Sequence, residues 1–133
     1  MPHRFHLSRI LIAPLLLMSA QSAMGAPDPA NGEVLFRSRC SICHSAEAGT
    51  NKIGPSLFNV VDRPAGSIAD FAYSDANRKS GIVWNLQALD RYLTAPQAMV
   101  PGTRMTFPGL KDDQQRADVI AFLATLHAGV NQN

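Results

Sequence analysis

The sequence predicts a small all-α domain in which a long central loop packs around a large apolar group. Two segments repeat apolar residues at helical spacing, and no segment alternates apolar and polar residues as a half-buried strand would. Residues 45–83 are rich in Gly, Pro, Ser, Asn and Asp and show no sustained period. Such a long loop is rarely ordered in a compact domain without something to pack on. A central ligand would supply a surface on which the aromatic residues of this loop could pack. They are Phe58, Phe71 and Tyr73, with Trp84 directly after the loop.

Each of the three main predicted helices begins with a side chain that can cap its N-terminus. These caps are Asp28, Asn85 and Asp112. The first helix has Pro29 at its first position and runs up to the cysteines, whereas the second ends at Ala95-Pro96. The third begins like a capping box with Gln115 and has an apolar stripe, Val119, Ile120, Phe122, Leu123 and Leu126. A short helix near residues 74–80 and a turn-rich strap over residues 101–109 complete the predicted elements.

Residues 1–25 have the order of a secretory signal peptide: the basic residues Arg4 and Arg9, an apolar run and a tail of small residues. The run is too short to span a bilayer. We therefore expect export to the bacterial periplasm and cleavage after Gly25 or Ser22, with no stable membrane insertion afterwards. The remaining 133 − 25 = 108 residues, 26–133, make one domain. Its ten Lys and Arg balance its ten Asp and Glu, so no basic face is expected for binding nucleic acid.

The only two cysteines, Cys40 and Cys43, stand directly before His44. A redox Cys-x-x-Cys normally lies in a βαβ context, which this sequence does not offer. Structural zinc requires four ligands, so it would need these three residues and His127, with the adjacent Cys43 and His44 on one ion. A disulfide would close too small a loop to stabilise the chain much. Cys-x-x-Cys-His is instead the signal for covalent attachment of one haem c, with His44 as the proximal iron ligand.

The second axial ligand of the iron has few candidates. Met99 and Met105 are the methionines that remain after residue 25. Met105 lies in the turn-rich strap, which could hold its thioether against the iron, whereas Met99 follows a predicted helix end and is interpreted as core packing. His127 near the end of the last helix is most simply an exposed side chain beside the negative end of the helix dipole. Met105 is therefore favoured, with His127 or an open position as alternatives.

Further sequence blocks surround the haem motif in a set order. They are Gly32 with Phe36, Gly54-Pro55-Ser-Leu57, Phe71-Ala-Tyr73-Ser-Asp-Ala-Asn77, Gly81-Ile-Val-Trp84, Leu89-Asp-Arg-Tyr92-Leu93, Pro101-Gly-Thr-Arg-Met105-Thr-Phe107 and Val119-Ile-Ala-Phe122-Leu123. Over essentially the whole domain, the chain resembles a class I cytochrome c of the mitochondrial type and its soluble bacterial relatives. The resemblance implies three main helices plus long loops wrapped round one covalently bound haem.

The resemblance also implies roles for residues around the haem. The Pro55 carbonyl would accept a hydrogen bond from His44 and raise its basicity as a ligand, and Tyr92 would donate to the Met105 sulfur. The residues that would hold the haem propionates are Arg63, Tyr73, Ser74 and Trp84. Those of an internal polar network would be Asn77 and Thr103. Gly32 and Phe36 would pack the first helix against Phe122 in the last.

Two departures from the family pattern bear on the haem site and on its surface. Asp62 stands where relatives often have glycine, and its carboxylate is expected to pair with Arg63. Gln97-Ala98-Met99 replaces the lysines that relatives commonly show before the strap. The basic rim is thinner as a result, so docking should depend more on apolar contact. The expected partner-facing edge consists of Arg39, Ile42, Lys52, Arg104, Phe107 and Lys111.

These expectations describe a soluble, monomeric electron carrier and not an enzyme. It would carry one electron between a membrane quinol-oxidising complex and an oxidase, peroxidase or dehydrogenase in the periplasm. Its contacts with redox protein partners would be transient, since a carrier must leave quickly. The alternatives are a haem enzyme or gas sensor with a displaceable axial ligand, and a fixed cytochrome subunit of a larger redox complex.

Overall fold

The computed structural model describes residues 24–128, so most of the predicted signal peptide, residues 1–23, lies outside the described residues. The helices are α1 (Pro29–Arg39), α2 (Asp75–Arg78), α3 (Leu86–Thr94), α4 (Pro96–Met99) and α5 (Asp113–Thr125). Residues 24–128 contain no strand, only one isolated bridge between Pro64 and Val83. Within the same range no helix is both long enough and apolar enough to cross a membrane. The predicted all-α class is confirmed.

The predicted caps form at all three main helices. The carboxylate of Asp28 accepts a hydrogen bond from the backbone N–H of Ala30 at 2.9 Å. The side chain of Asn85 accepts from Ala88 at 2.8 Å, and that of Asp112 accepts from Gln115 at 2.8 Å. Each cap pairs a backbone donor that the helix itself leaves without a partner.

Helix α4 differs from the prediction, which ended helical structure at Ala95-Pro96. Pro96 does end α3, but it also occupies the first position of α4. Proline is suited to this position because its fixed φ matches a helix and its missing N–H is not required there. The short helix brings Met99 against the core, where it is half-buried.

Helices α1 and α5 pack directly on each other, as predicted. A Cβ atom on Gly32 would lie 1.9 Å from the backbone carbonyl oxygen of Asp118, so only glycine allows the two backbones to come this close. One turn further along α1, the rings of Phe36 and Phe122 meet with their centroids 5.3 Å apart. This aromatic contact packs α1 against α5 in the turn of α1 that precedes the cysteines.

The Asp118 carboxylate also ties α5 to the start of α1. It is buried, and it accepts hydrogen bonds from the backbone N–H of Asp28 at 2.8 Å and from the side chain of Asn31 at 2.7 Å. Gln114 donates a third at 2.9 Å. These bonds favour the charged form and lower the pKa of Asp118, with the Asp28 N–H as the largest cause.

The core lies between α3, α5 and the long loops. Helix α3 contributes Leu89, Tyr92 and Leu93, and α5 contributes Val119 and Leu123. The loops add buried residues of their own, Val60, Trp84, Val100 and Leu110. The central loop is held by its backbone as well, because the N–H of Trp84 donates to the Arg63 carbonyl at 3.0 Å.

Candidate haem-binding site

Helix α1 ends in a turn that presents the two cysteines. The N–H of Cys40 donates to the Phe36 carbonyl at 2.8 Å, and the N–H groups of Cys43 and His44 both return to the Cys40 carbonyl, at 3.0 and 2.9 Å. Both thiols are free and only partly buried. Burial, reinforced by the neighbouring Cys43, raises the pKa of Cys40 to about 11, so this thiol is protonated at neutral pH. The turn therefore presents both cysteine side chains beside one imidazole.

The imidazole of His44 is fixed by the loop that follows it. Nδ1 lies 2.7 Å from the carbonyl oxygen of Pro55, which can only accept, so Nδ1 carries the proton and donates it. Nε2 then keeps its lone pair, as a metal ligand requires. Burial is the main cause that lowers the pKa of His44, which keeps the ring neutral at pH 7. The ring is thus prepared to bind iron through Nε2.

Gly54 allows the loop to pass against this ring. A Cβ atom at position 54 would lie 2.3 Å from Cε1 and 2.7 Å from Nδ1 of His44. The N–H of Gly54 donates to the Cys43 carbonyl at 2.7 Å, which fixes the loop next to the motif. In the sequence Gly54 is only one member of a recognisable block. Its steric role requires the structure, because nothing local shows that residue 54 faces residue 44.

Met105 is half-buried in the strap and packs against the core. Its N–H donates to the Thr103 hydroxyl at 3.3 Å, and the side-chain amide of Gln97 donates to its carbonyl at 3.1 Å. Met99 is also half-buried, but it belongs to α4. His127 is exposed beyond the end of α5. Of the two candidate thioether ligands for the haem iron, Met105 therefore lies in an irregular segment and Met99 in a helix.

The hydroxyl of Tyr92 has a different partner from the one that the resemblance implied. It lies 3.2 Å from the Thr103 hydroxyl, whereas the expected hydrogen bond to the Met105 sulfur does not occur. The Tyr92 ring also contacts Trp84, with centroids 4.7 Å apart. Burial raises the pKa of Tyr92, which therefore remains a neutral donor. Tyr92 reaches Met105 only through Thr103, because the Thr103 hydroxyl also accepts from the Met105 N–H.

The expected ion pair between Asp62 and Arg63 is wrong. The Arg63 guanidinium turns inward and donates to the carbonyls of Ser56 and Phe58, both at 3.0 Å. Asp62 is exposed and has a φ of +61°, in the left-handed region that glycine favours and aspartate tolerates. The backbone turn at residue 62 therefore explains why glycine suits this position. The positive charge of Arg63 stays available to an anionic group.

The other residues predicted to hold the propionates lie in the central loop near Arg63. Tyr73, Ser74 and Trp84 are buried, and the Ser74 hydroxyl caps α2 by accepting from the Asn77 N–H at 3.1 Å. Oδ1 of Asn77 is buried and has no hydrogen-bond partner within residues 24–128. A buried acceptor without a donor is costly, so this atom indicates that water or a bound group belongs beside it. With the free thiols and the neutral His44, it fits a haem site.

The predicted partner-facing residues are spread over two segments of the surface. Next to the cysteines, Ile42 is 76% exposed, and Lys52 donates from Nζ to the Ser41 carbonyl at 2.7 Å. The neighbouring Ile53 is 77% exposed. Sequence reasoning missed Ile53, although an isoleucine in a polar loop was the available signal.

Arg39 directly precedes Cys40 and belongs with the first segment, whereas the second segment is the strap together with Lys111 just after it. Arg39 is exposed. Arg104 donates to the Ala72 carbonyl at 3.0 Å and Lys111 to the Thr94 carbonyl at 2.5 Å, so both are used in holding the strap. Phe107 is half-buried and packs against the core.

The all-α fold, the two thiols and the oriented His44 together define a class I c-type cytochrome. The family model described as cytochrome c matches residues 29–127, and the chain belongs to this family. Its cofactor is one covalently bound haem c, for which Cys40 and Cys43 supply the Cys-x-x-Cys-His motif. It is a mono-haem electron-transfer protein, and the class and cofactor predicted from the sequence are confirmed.

The chain is similar to known cytochromes c over nearly the whole length of those proteins. Cytochrome c2 of Rhodopila globiformis is 50% identical over 99 residues, which cover 74% of this chain and 93% of the relative. Cytochrome c2 of Rhodomicrobium vannielii is 48% identical over 123 residues, or 90% of this chain and 95% of the relative. Among solved structures, cytochrome cH from Methylobacterium extorquens is 43% identical with a TM-score of 0.69, covering 74% of this chain and 98% of that one.

Proposed function

We propose that this protein carries single electrons in the bacterial periplasm, between a membrane quinol-oxidising complex and an oxidase, peroxidase or dehydrogenase. His44 and Met105 would supply the two protein ligands of its haem iron. The observation that carries the proposal is the hydrogen bond from His44 Nδ1 to the Pro55 carbonyl, which leaves Nε2 free beside the two attachment thiols. When bound, haem c supplies the reversible one-electron change at its iron.

The chain's own residues favour a carrier over a haem enzyme or gas sensor. His44 is held in one tautomer and one orientation, and its hydrogen bond to Pro55 raises the basicity of Nε2. Met105 is favoured as the second ligand because its backbone is held at both groups: its N–H donates to the Thr103 hydroxyl, and its carbonyl accepts from the Gln97 side chain. Two protein ligands leave no position for a substrate, and the thioether raises the reduction potential.

The ferric absorption spectrum of the purified holoprotein tests the axial ligands. We expect a far-red sulfur-to-iron charge-transfer band that disappears in Met105→Ala. Met99→Ala is the matched control, since Met99 is also half-buried against the core, and it should keep the band. A high-spin spectrum in the unmodified protein would contradict the proposal and favour an enzyme or sensor with an open position.

Docking in this proposal uses the exposed surface beside the cysteines. Ile42 and Ile53 provide apolar contact there, and Gly54 holds their two segments together through its bond to the Cys43 carbonyl. Lys52 adds one positive charge. Its ammonium group donates to the Ser41 carbonyl, which keeps the charge at the same surface. Apolar contact with little charge gives association that changes only weakly with salt.

Electron-transfer rates with isolated membranes test this surface. Ile42→Ser and Ile53→Ser should each lower the second-order rate constant several-fold at both low and high salt. Val34→Ser is the control, because Val34 is also exposed but lies within α1, six residues before Cys40. Equal losses in all three variants, or none, would contradict docking at this surface.

Fractionation tests the location and the free state of the carrier. The holoprotein should appear in the periplasmic fraction as residues 26–133, and its mass should show that residues 1–25 are absent. Gel filtration should give a monomer of about 12 kDa, within the usual size of a single domain. Elution with a much larger redox complex would favour the fixed-subunit alternative.

A further inference from the structure

Arg116 is a buried charge in α5 that haem attachment does not explain. Its side chain is only 8% exposed. Nε donates to Asp90 on α3 at 2.9 Å, and Nη2 donates to Asp113 at the start of α5 at 2.6 Å. The Asp90 carboxylate is 48% exposed and that of Asp113 is 64% exposed, so the guanidinium extends from the interior to two anionic groups that reach the surface. A buried arginine held in this way can organise several neighbours at once.

The remaining donor nitrogen of Arg116 reaches the end of the strap, meaning Leu110 and Lys111, the two residues directly after it. Nη1 donates to the carbonyl of Leu110 at 3.0 Å and to that of Lys111 at 3.2 Å. Leu110 is itself buried, and its N–H donates to the Leu93 carbonyl at the end of α3 at 2.8 Å. The end of the strap is therefore fixed between α3 and α5, with Arg116 as the charged group that contacts both.

The strap is held differently near Met105. There the side-chain donors are Gln97, which reaches the Met105 carbonyl, and Arg104, which reaches the Ala72 carbonyl. Both of these bonds are exposed to solvent, so water competes for them and their net contribution is small. The buried, charge-assisted bonds of Arg116 contribute more. Arg116 is thus the stronger polar anchor of the segment that carries Met105.

We propose that Arg116 is a positioning residue for the second axial ligand. By fixing the end of the strap between α3 and α5, it sets how often the Met105 thioether leaves the iron. The proposal rests on Met105 as the axial ligand, as argued above. It requires arginine in particular, because one guanidinium makes both the carboxylate and the carbonyl contacts, whereas a lysine ammonium is a single point charge.

Competition with imidazole measures how often the position opens. Added imidazole binds ferric iron only when Met105 is away, so its apparent affinity rises in proportion to the open fraction. Arg116→Lys should raise that affinity about tenfold, which corresponds to the loss of about one hydrogen bond to a charged group. Asp118→Asn is the matched control, since Asp118 is a buried charge on the same helix but binds the start of α1. It should leave the imidazole affinity unchanged even where it lowers the unfolding free energy as much.

Amide hydrogen exchange gives a second readout that does not depend on iron ligation. In Arg116→Lys the Leu110 N–H should exchange faster, whereas amides inside α1 should not. If this variant does not fold, Asp90→Asn is used instead, because it removes only one partner of the guanidinium. An imidazole affinity that is unchanged, or raised equally in Asp118→Asn, overturns the proposal. A wild-type protein without the charge-transfer band overturns the assignment of Met105, whatever the exchange of Leu110 shows.

Discussion

Replacing Gly54 by alanine would test how closely the loop fits against the His44 ring. The new methyl group would lie 2.3 Å from Cε1 and 2.7 Å from Nδ1 if nothing moved. The loop cannot simply retreat, since the Gly54 N–H is bonded to the Cys43 carbonyl at 2.7 Å. We expect the ring to tilt away and the hydrogen bond from Nδ1 to the Pro55 carbonyl to weaken.

The cost of this substitution has two parts. Forcing a methyl group into a packed position costs about 1–3 kcal/mol. Weakening the bond between His44 and Pro55 adds about 0.5–1.5 kcal/mol, so the holoprotein should lose about 1.5–4.5 kcal/mol of unfolding free energy. The reduction potential should rise, because an imidazole without its hydrogen bond is a poorer donor to ferric iron.

Denaturant unfolding and spectroelectrochemistry of the holoprotein measure both effects. Gly49→Ala is the matched control in the same loop. Gly49 has a φ of +69° but no atom within 4 Å of its added Cβ, so alanine there strains the backbone without touching the ring. The control should cost about 1 kcal/mol and leave the potential unchanged. If Gly54→Ala costs no more than Gly49→Ala and does not change the potential, the close fit to His44 is refuted.

Two further substitutions test the junction of α1 and α5. Gly32→Ala should cost about 3 kcal/mol or more, because its Cβ would meet the Asp118 carbonyl oxygen at 1.9 Å. A denaturant midpoint no lower than that of Gly49→Ala would contradict this. Asp118→Asn should cost about 2 kcal/mol at neutral pH. Since folding lowers the pKa of Asp118, this contribution is complete above the unfolded value of about 4 and is lost as the pH falls through the folded value. Unfolding at pH 7 and pH 3 should therefore show a difference between variant and wild type that narrows with acid, and a constant difference would argue against a charged Asp118.

Features that depend on neighbouring residues could be predicted from the sequence. The cap at Asp28 acts on the helix that starts beside it, and the haem motif places Cys40 and Cys43 on one turn. The steric role of Gly54 and the hydrogen bond of Tyr92 to Thr103 could not be predicted, because each depends on how separate segments meet. The wrong ion pair of Asp62 has the same origin. The charge of Asp62 indicated an ion pair with Arg63. The positive φ of Asp62 is a property of the backbone turn, which the charge of the side chain does not reveal.

Helix α5 controls both halves of the site although it supplies none of the candidate haem ligands. Arg116 and Asp118 are two positions apart, so they point to different sides of the helix. Asp118 fixes the start of α1, which leads to Cys40, whereas Arg116 fixes the end of the strap that carries Met105. A loss of about 2 kcal/mol at either residue is a large share of a net domain stability of about 5–15 kcal/mol. Substitution of Arg116 is therefore expected to change how firmly Met105 is held, whereas substitution of Asp118 should destabilise the junction of α1 and α5 and leave Met105 in place.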